Sequence, residues 1–242
     1  MAEMSPAPPS PPAAPGLGSR VLGMFNVFVD PDATARLIPY GWSWIPPLAL
    51  SSIVIAFTSW LNIPIALEVM QRNPPANMST EQVARALPMI SLTQKIAAAA
   101  SPLIMTAILA IFAALLSAAS VVLNIRSRYR DNFSLLAHAG LIGVLQQLAG
   151  FLVIRLKAGE IQSIQELRPS FGFDLLLAEG SNRLLQGVLS YFSIFTVWYI
   201  VMLALTFANL TGISKGKAFI ATAPVWILSM ALAVAGMFFS RV

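Results

Sequence analysis

Five stretches of the chain run without a charged side chain for long enough to cross a bilayer: residues 45–67, 96–125, 133–154, 184–210 and 218–240. About 20 apolar residues in a helix cover the hydrocarbon of a membrane, so each of these runs predicts a transmembrane helix. Charges close every run: Arg36 and Glu68 flank the first, Lys95 and Arg126 the second, Asp131 and Arg155 the third, and Arg183, Lys215 and Lys217 bound the fourth. The expected architecture is an all-α bundle of five transmembrane helices. A single five-span domain fills residues 20–242, behind a Pro/Ala-rich tail at 1–19. So much proline forbids a helix in that tail and favours disorder. It also lacks the basic and apolar regions of a signal peptide.

The shorter apolar pieces predict interfacial helices. Val21, Leu22, Met24, Phe25, Val27, Phe28 and Val29 form a run too short to span. Asp30-Pro31 follows as an N-cap with proline at the first helical position. Region 20–37 is expected to lie along the membrane surface, with Phe25 and Phe28 dipping in, or to form a soluble helix packed on the domain. Tyr40, Trp42 and Trp44 then mark the headgroup level where the first span begins. In the first long loop, Ser79-Thr80-Glu81-Gln82 reads as a capping box, starting a short helix that Pro88 ends. In the second, Ile161, Ile164 and Leu167 share a partial apolar face up to Pro169. Residues 171–177 form a further patch that either re-enters the membrane or lies in the headgroups.

Composition agrees with this pattern and narrows the chemistry. Of 242 residues, 57% are hydrophobic and only 10% charged, and mean hydropathy is +0.75. Soluble domains carry roughly 25% charged residues, so lipid must be the solvent over most of the surface. The absence of cysteine excludes disulfides, thiolate metal sites and cysteine nucleophiles. A net charge of +5 scattered through connectors reads as membrane topology and not as a nucleic-acid footprint.

No Lys, Arg, Asp or Glu falls inside a span, which argues against ion-coupled transport. The polar intramembrane candidates are His138, Gln146 and Gln147 in the third span and Gln186 at the start of the fourth. A single histidine with no second ligand makes no metal site, and Asp131 lies two helical turns from His138, too far for a catalytic triad. GLIG and GISKGK lack phosphate-loop spacing. No catalytic, cofactor-binding or metal residue is therefore assigned, and no cofactor is expected. His138 is expected to hydrogen-bond a neighbouring span or the interface. Gln146 and Gln147 point about 100° apart on a helix, so one of them is expected to bridge helices.

Ala113, Ala114, Ser117, Ala118 and Ser120 give the second span a small-residue face that admits a close neighbour. The compact basic turns at 126–130 and 214–217 favour a cytoplasmic N-terminus, and five crossings place the C-terminus opposite.

An ordered set of phrases resembles the Yip1 domain family. Phe25-Asn26-Val27-Phe28-Val29-Asp30-Pro31 is similar to the family's entry before its first span. The run from Leu189 through Phe195 to Trp198 is similar to its fourth-span signature. Gly212-Ile213-Ser214-Lys215-Gly216-Lys217-Ala218 is similar to the basic turn after that span. Phe28, Pro31, Phe195, Trp198, Gly212 and Lys215 carry the fingerprint, within a five-span plan of alternating long and short loops. The eukaryotic DLYGP-type motif is not visible, so the likeness is to the bacterial branch, and Rab binding is not carried over. The resemblance implies a multi-pass cell-membrane protein with a cytoplasmic N-terminus and brings no catalytic residues. Some bacterial members accompany ABC-type export systems.

The function expected is a non-enzymatic scaffold or accessory subunit. Its partners would be the lipid bilayer, other integral membrane proteins (ABC-type transporter subunits among them) or copies of itself. A small-solute or lipid transporter lined by Asn62, His138, Gln146 and Gln186 is the first alternative. Membrane shaping by residues 20–37 and 160–177 is the second.

Overall fold

A computed structural model describes residues 16–74, 78–178 and 181–239. Most of the expected tail, residues 1–15, lies outside them; its last residues already belong to α1 (Leu17–Gly23). The further helices are α2 (Pro31–Leu37), α3 (Ile45–Arg72), α4 (Thr80–Val122), α5 (Tyr129–Leu156), α6 (Arg183–Tyr191), α7 (Ile194–Thr211) and α8 (Lys215–Phe239). Three short 3₁₀ turns, Met24–Phe28, Ile164–Leu167 and Phe173–Leu176, complete the set. The described residues form no strand; Gly172 and Ser193 make one isolated antiparallel bridge. Among the described residues five helices are long and apolar enough to span a membrane: α3, α4, α5, α7 and the stretch Lys215–Gly236 of α8.

The centre of the bundle is α5, which packs against α3, α4 and α7. Its segment from Ser134 to Ala139 is buried on every side, which is what an interior helix requires. Trp44 meets Phe133 edge to face, and Gln147 donates to Thr58 at 3.1 Å, so α3 runs parallel to α5. Asn132 reaches back to Ser117 at 2.9 Å, so α4 runs antiparallel. The starts of α5 and α8 lie on one face of the bundle, which therefore carries both basic turns. The opposite face carries the two long loops.

Three features depart from the hydropathy pattern. The expected short helix at 80–87 and the second span are one helix, the 43-residue α4. At 1.5 Å per residue it is about 65 Å long, roughly twice the hydrocarbon thickness. The capping box at Ser79 and Gln82 is present, but Pro88 does not stop the helix. Nor does Pro102, which leaves the Ala98 carbonyl without its helical donor; the Ser101 hydroxyl supplies one at 2.8 Å. Serine at such a kink is a common way to satisfy a freed carbonyl in lipid.

The expected fourth span at 184–210 is two helices. Phe192 and Ser193 leave helical geometry, and Ser193 caps α7 by accepting from the Thr196 N–H at 3.1 Å. With its 18 residues, α7 is about 27 Å long and spans by itself. This frees α6, capped by Asn182, to pack on α8 and on the 173–176 turn. The break stays satisfied because Phe173 N–H donates to the Phe192 carbonyl at 3.3 Å. Irregular backbone is tolerated near membrane depth only when protein covers it in this way.

The residues before the first span do not lie loosely on a surface. Met24 and Val27 are buried against Leu141 and Val144 of α5, and α2 packs along α7. Leu141 lies about 18 Å along α5 from Tyr129, so the segment wedges well into the bundle.

Gly172 shows how tightly the strap at 172–173 is seated. A Cβ there would stand 2.5 Å from the carbonyl oxygens of both Leu189 and Ser190. A Cβ on Gly143 would meet nothing within 4 Å. Gly172→Ala is expected to cost about 1–3 kcal/mol through overpacking, lowering the thermal midpoint of the detergent-purified protein. Gly143→Ala is expected to leave that midpoint unchanged or slightly raised.

Candidate functional site

Two adjoining cavities of about 410 and 390 Å³ open on the long-loop face, between α3, α4, α5 and the strap. They share Asn62, Gln147, Ile154, Leu167 and Arg168. α3 contributes Ser59 and Asn62, and α4 contributes Gln94 and Ser101. α5 adds Gln146 and Gln147, and the strap closes the space with Leu167, Arg168, Pro169 and Phe171. Pro169 and Phe171 lie against Gly150 of α5, where the missing side chain gives them room.

The polar balance inside is incomplete. Gln147 is committed to Thr58, whose hydroxyl in turn donates to the Val54 carbonyl at 2.8 Å. The side-chain oxygens of Asn62 and Gln94 are buried with no hydrogen-bond partner among the described residues. A buried polar atom left unpaired costs about 1–3 kcal/mol. Arg168 is exposed at the mouth and makes no ion pair among the described residues. Nearby Glu166 is occupied otherwise: the Ser163 hydroxyl donates to it at 2.8 Å and the Gln162 N–H at 3.2 Å. The Ser163 bond, followed by the Gln162 bond, holds the Glu166 carboxyl below the usual carboxylate range.

Of the sequence candidates, Gln146 and Gln147 stand together here, both lining one cavity because it wraps around the α5 face. His138 does not join them. It is buried near the basic-turn face, where Nδ1 donates to the Ser134 carbonyl at 2.8 Å. The Ser134 hydroxyl pairs with that of Ser43 at 2.6 Å, tying the turn before α3 to α5. Gln186 sits half-buried on α6, away from the cleft. Among the described residues no group of three or more His, Asp or Glu is placed to hold a metal ion.

Sequence reasoning did not select Gln94 or Arg168. Gln94 precedes Lys95 and passed for loop, and Arg168 precedes Pro169 and passed for a helix end. The available signal was the level: Trp60 and Lys95, whose ammonium stands 5.9 Å over the Trp60 ring, mark the interface beside Asn62 and Gln94.

The fingerprint residues are spread along α7 and the elements that pack on it, not gathered into one cluster. The Trp198 indole N–H donates to the Phe28 carbonyl at 3.1 Å, and the two rings are 5.8 Å apart. Pro31 opens α2 behind Asp30, whose carboxylate accepts from Asp32 N–H at 3.1 Å and Ala33 N–H at 2.8 Å. Phe195 meets Phe171 of the strap edge to face at 5.8 Å. Gly212 ends α7 with φ +70°, a left-handed cap that favours glycine, and Lys215 opens α8, exposed.

The model of the Yip1 domain matches residues 25–237. The chain belongs to the Yip1 domain family. No curated protein and no solved structure matches it. The matched region runs from the Phe25 phrase into the last turn of α8, so the Phe28–Trp198 contact joins the start of the Yip1 domain to its fourth span. This Yip1-domain protein is a multi-pass membrane protein.

Trp198→Phe keeps an aromatic ring but removes the donor to the Phe28 carbonyl. The expected cost is about 1–3 kcal/mol, confined to the N-terminal wedge. Hydrogen–deuterium exchange should accelerate over residues 24–37 and stay unchanged in the centre of α5.

Proposed function

We propose that this Yip1-domain protein is a non-enzymatic accessory or scaffold subunit of the cell (inner) membrane. It works through helix–helix contacts with other integral membrane proteins, ABC-type export subunits among them, or with further copies of itself. Its N-terminus is cytoplasmic, a reading supported by the two basic turns sharing one face of the bundle.

One observation carries the reading. The small residues of α4 divide into two faces. Ala113 and Ser120 are buried inside the bundle, and Ser117 accepts from Asn132. Ala107, Ala114 and Ala118 are exposed, on the side that also exposes Leu103, Ile104, Ile108 and Ile111. Ala114 and Ala118 are four residues apart, the small-xxx-small spacing that lets a second helix approach closely. In lipid, apolar surface alone gives no drive to associate, so close packing at small residues supplies much of it. The transporter alternative keeps only the amide-lined cleft in its favour, since His138 and Gln186 stand elsewhere.

Purification of the tagged protein from its native membrane in mild detergent tests this proposal. A stoichiometric membrane partner or a self-association product is expected. Ala114→Leu should weaken its recovery about tenfold, in line with 1–2 kcal/mol for such a contact, while leaving the thermal midpoint unchanged. A bare monomer, recovered equally from both proteins, overturns the proposal.

A further inference from the structure

The cleft on the long-loop face has the makings of a ligand site of its own, bordered by the exposed α4 surface. Its two buried oxygens, Asn62 Oδ1 and Gln94 Oε1, accept hydrogen bonds and have no donor among the described residues. Its mouth holds the Arg168 guanidinium, a planar donor fork suited to phosphate oxygens. A complementary ligand therefore carries an anionic phosphate next to groups that donate hydrogen bonds. A volume near 390 Å³ is within the usual range of small-molecule sites.

The position of the cleft identifies the source. Asn62 is two residues beyond Trp60, and Gln94 directly precedes Lys95, the pair that marks the interface. The cavity is thus at headgroup level, where phospholipid headgroups are the abundant phosphate. Beside it, α4 exposes Ile96, Leu103 and Ile104, apolar surface against which acyl chains can lie. Acidic groups are close, since Glu160 and Glu166 line a neighbouring cavity of about 440 Å³ together with Lys157 and Arg168. Glu166 is held by Ser163 and Gln162, and neither acid pairs with Arg168 among the described residues.

We propose that this cleft binds the headgroup of a glycerophospholipid that has hydrogen-bond donors of its own, of the ethanolamine or glycerol kind. The phosphate is held by Arg168, and the headgroup donors satisfy the oxygens of Asn62 and Gln94. A choline headgroup has the phosphate but no N–H or O–H, so it leaves both oxygens unpaired. Discrimination between these headgroups is the signature of the site.

Native mass spectrometry of the full chain, delipidated and then offered matched-acyl phosphatidylethanolamine, phosphatidylglycerol or phosphatidylcholine, tests this directly. Retention of the first two is expected to exceed the third about tenfold, the worth of one or two hydrogen bonds in a buried site. Arg168→Gln should reduce retention of all three about tenfold, through loss of one charge-assisted contact. Gln94→Met should abolish the preference over choline while leaving the phosphate contact. Arg168 is exposed, so its replacement decides the matter even where a core variant fails to fold. Equal retention of the choline lipid, or retention unaffected by Arg168→Gln, overturns the proposal. Phosphoethanolamine and inorganic phosphate are offered in parallel. Arg168-dependent binding of either that the ethanolamine lipid cannot displace also overturns it, assigning the cleft to a soluble phosphate compound.

Discussion

The contact on which the N-terminal wedge of the domain depends is the hydrogen bond from the Trp198 indole to the Phe28 carbonyl. In water, the apolar run before the first span would be driven onto the bundle by the hydrophobic effect. In a bilayer that drive vanishes, because lipid chains are as apolar as the helix surface. What remains is dispersion, shape and the penalty for unpaired polar groups. The Phe28 carbonyl ends a 3₁₀ turn and has no helical partner of its own, and the indole N–H is likewise a donor in need. Each satisfies the other, and the tilted contact of the two rings adds to the hold. Once Phe28 is held, Met24 and Val27 are directed onto Leu141 and Val144, and Asp30 is positioned to cap α2 along α7.

The same accounting explains the long-loop face. A span that breaks at Phe192–Ser193 exposes backbone that lipid cannot satisfy. The strap repairs it with one hydrogen bond from Phe173, and that approach is possible only because Gly172 has no Cβ to meet the Leu189 and Ser190 carbonyls. Seating the strap also places Leu167, Arg168 and Pro169 over α5. The break in the fourth segment and the roof of the cleft are therefore one feature. If the strap lifted, the cap of the break and the wall of the cavity would be lost together.

This arrangement separates what the sequence made legible from what it hid. The spans were legible because lipid enforces composition: a charge-free run has few other meanings. The family fingerprint was legible as a pattern, though its mechanical sense, Trp198 on Phe28 and Phe195 on Phe171, needed coordinates. Pro88 misled because proline reads as a stop. In α4 the helix continues, and the carbonyl freed by Pro102 is recovered by Ser101. The break at 192–193 was hidden because hydropathy does not register a hydrogen-bond gap: both sides of it are equally apolar. The cleft was hidden for a third reason. Its amides come from three helices and its cation from a loop, and nothing local in Asn62, Gln94, Gln147 or Arg168 announces that they converge.

The two halves of the bundle differ in whether open space lies beside their polar groups. Toward the basic turns, Ser43, Ser134, His138 and Ser117 are bonded to one another, to backbone or to the Asn132 amide, whose Oδ1 stays unpaired, and the core around α5 closes over them with no cavity beside them among the described residues. Such groups act as glue, and placing a ligand there would require breaking bonds already made. Toward the long loops, the half-buried Asn62 and Gln94 each keep a buried, unpaired side-chain oxygen beside a cavity and an uncommitted arginine. Buried polar atoms left without partners are a strain that a fold retains where something else supplies the bond. The physics of satisfaction thus argues for a structural role at His138 and a recognition role at the Asn62–Gln94 cleft, although histidine is the residue that attracts attention in the sequence.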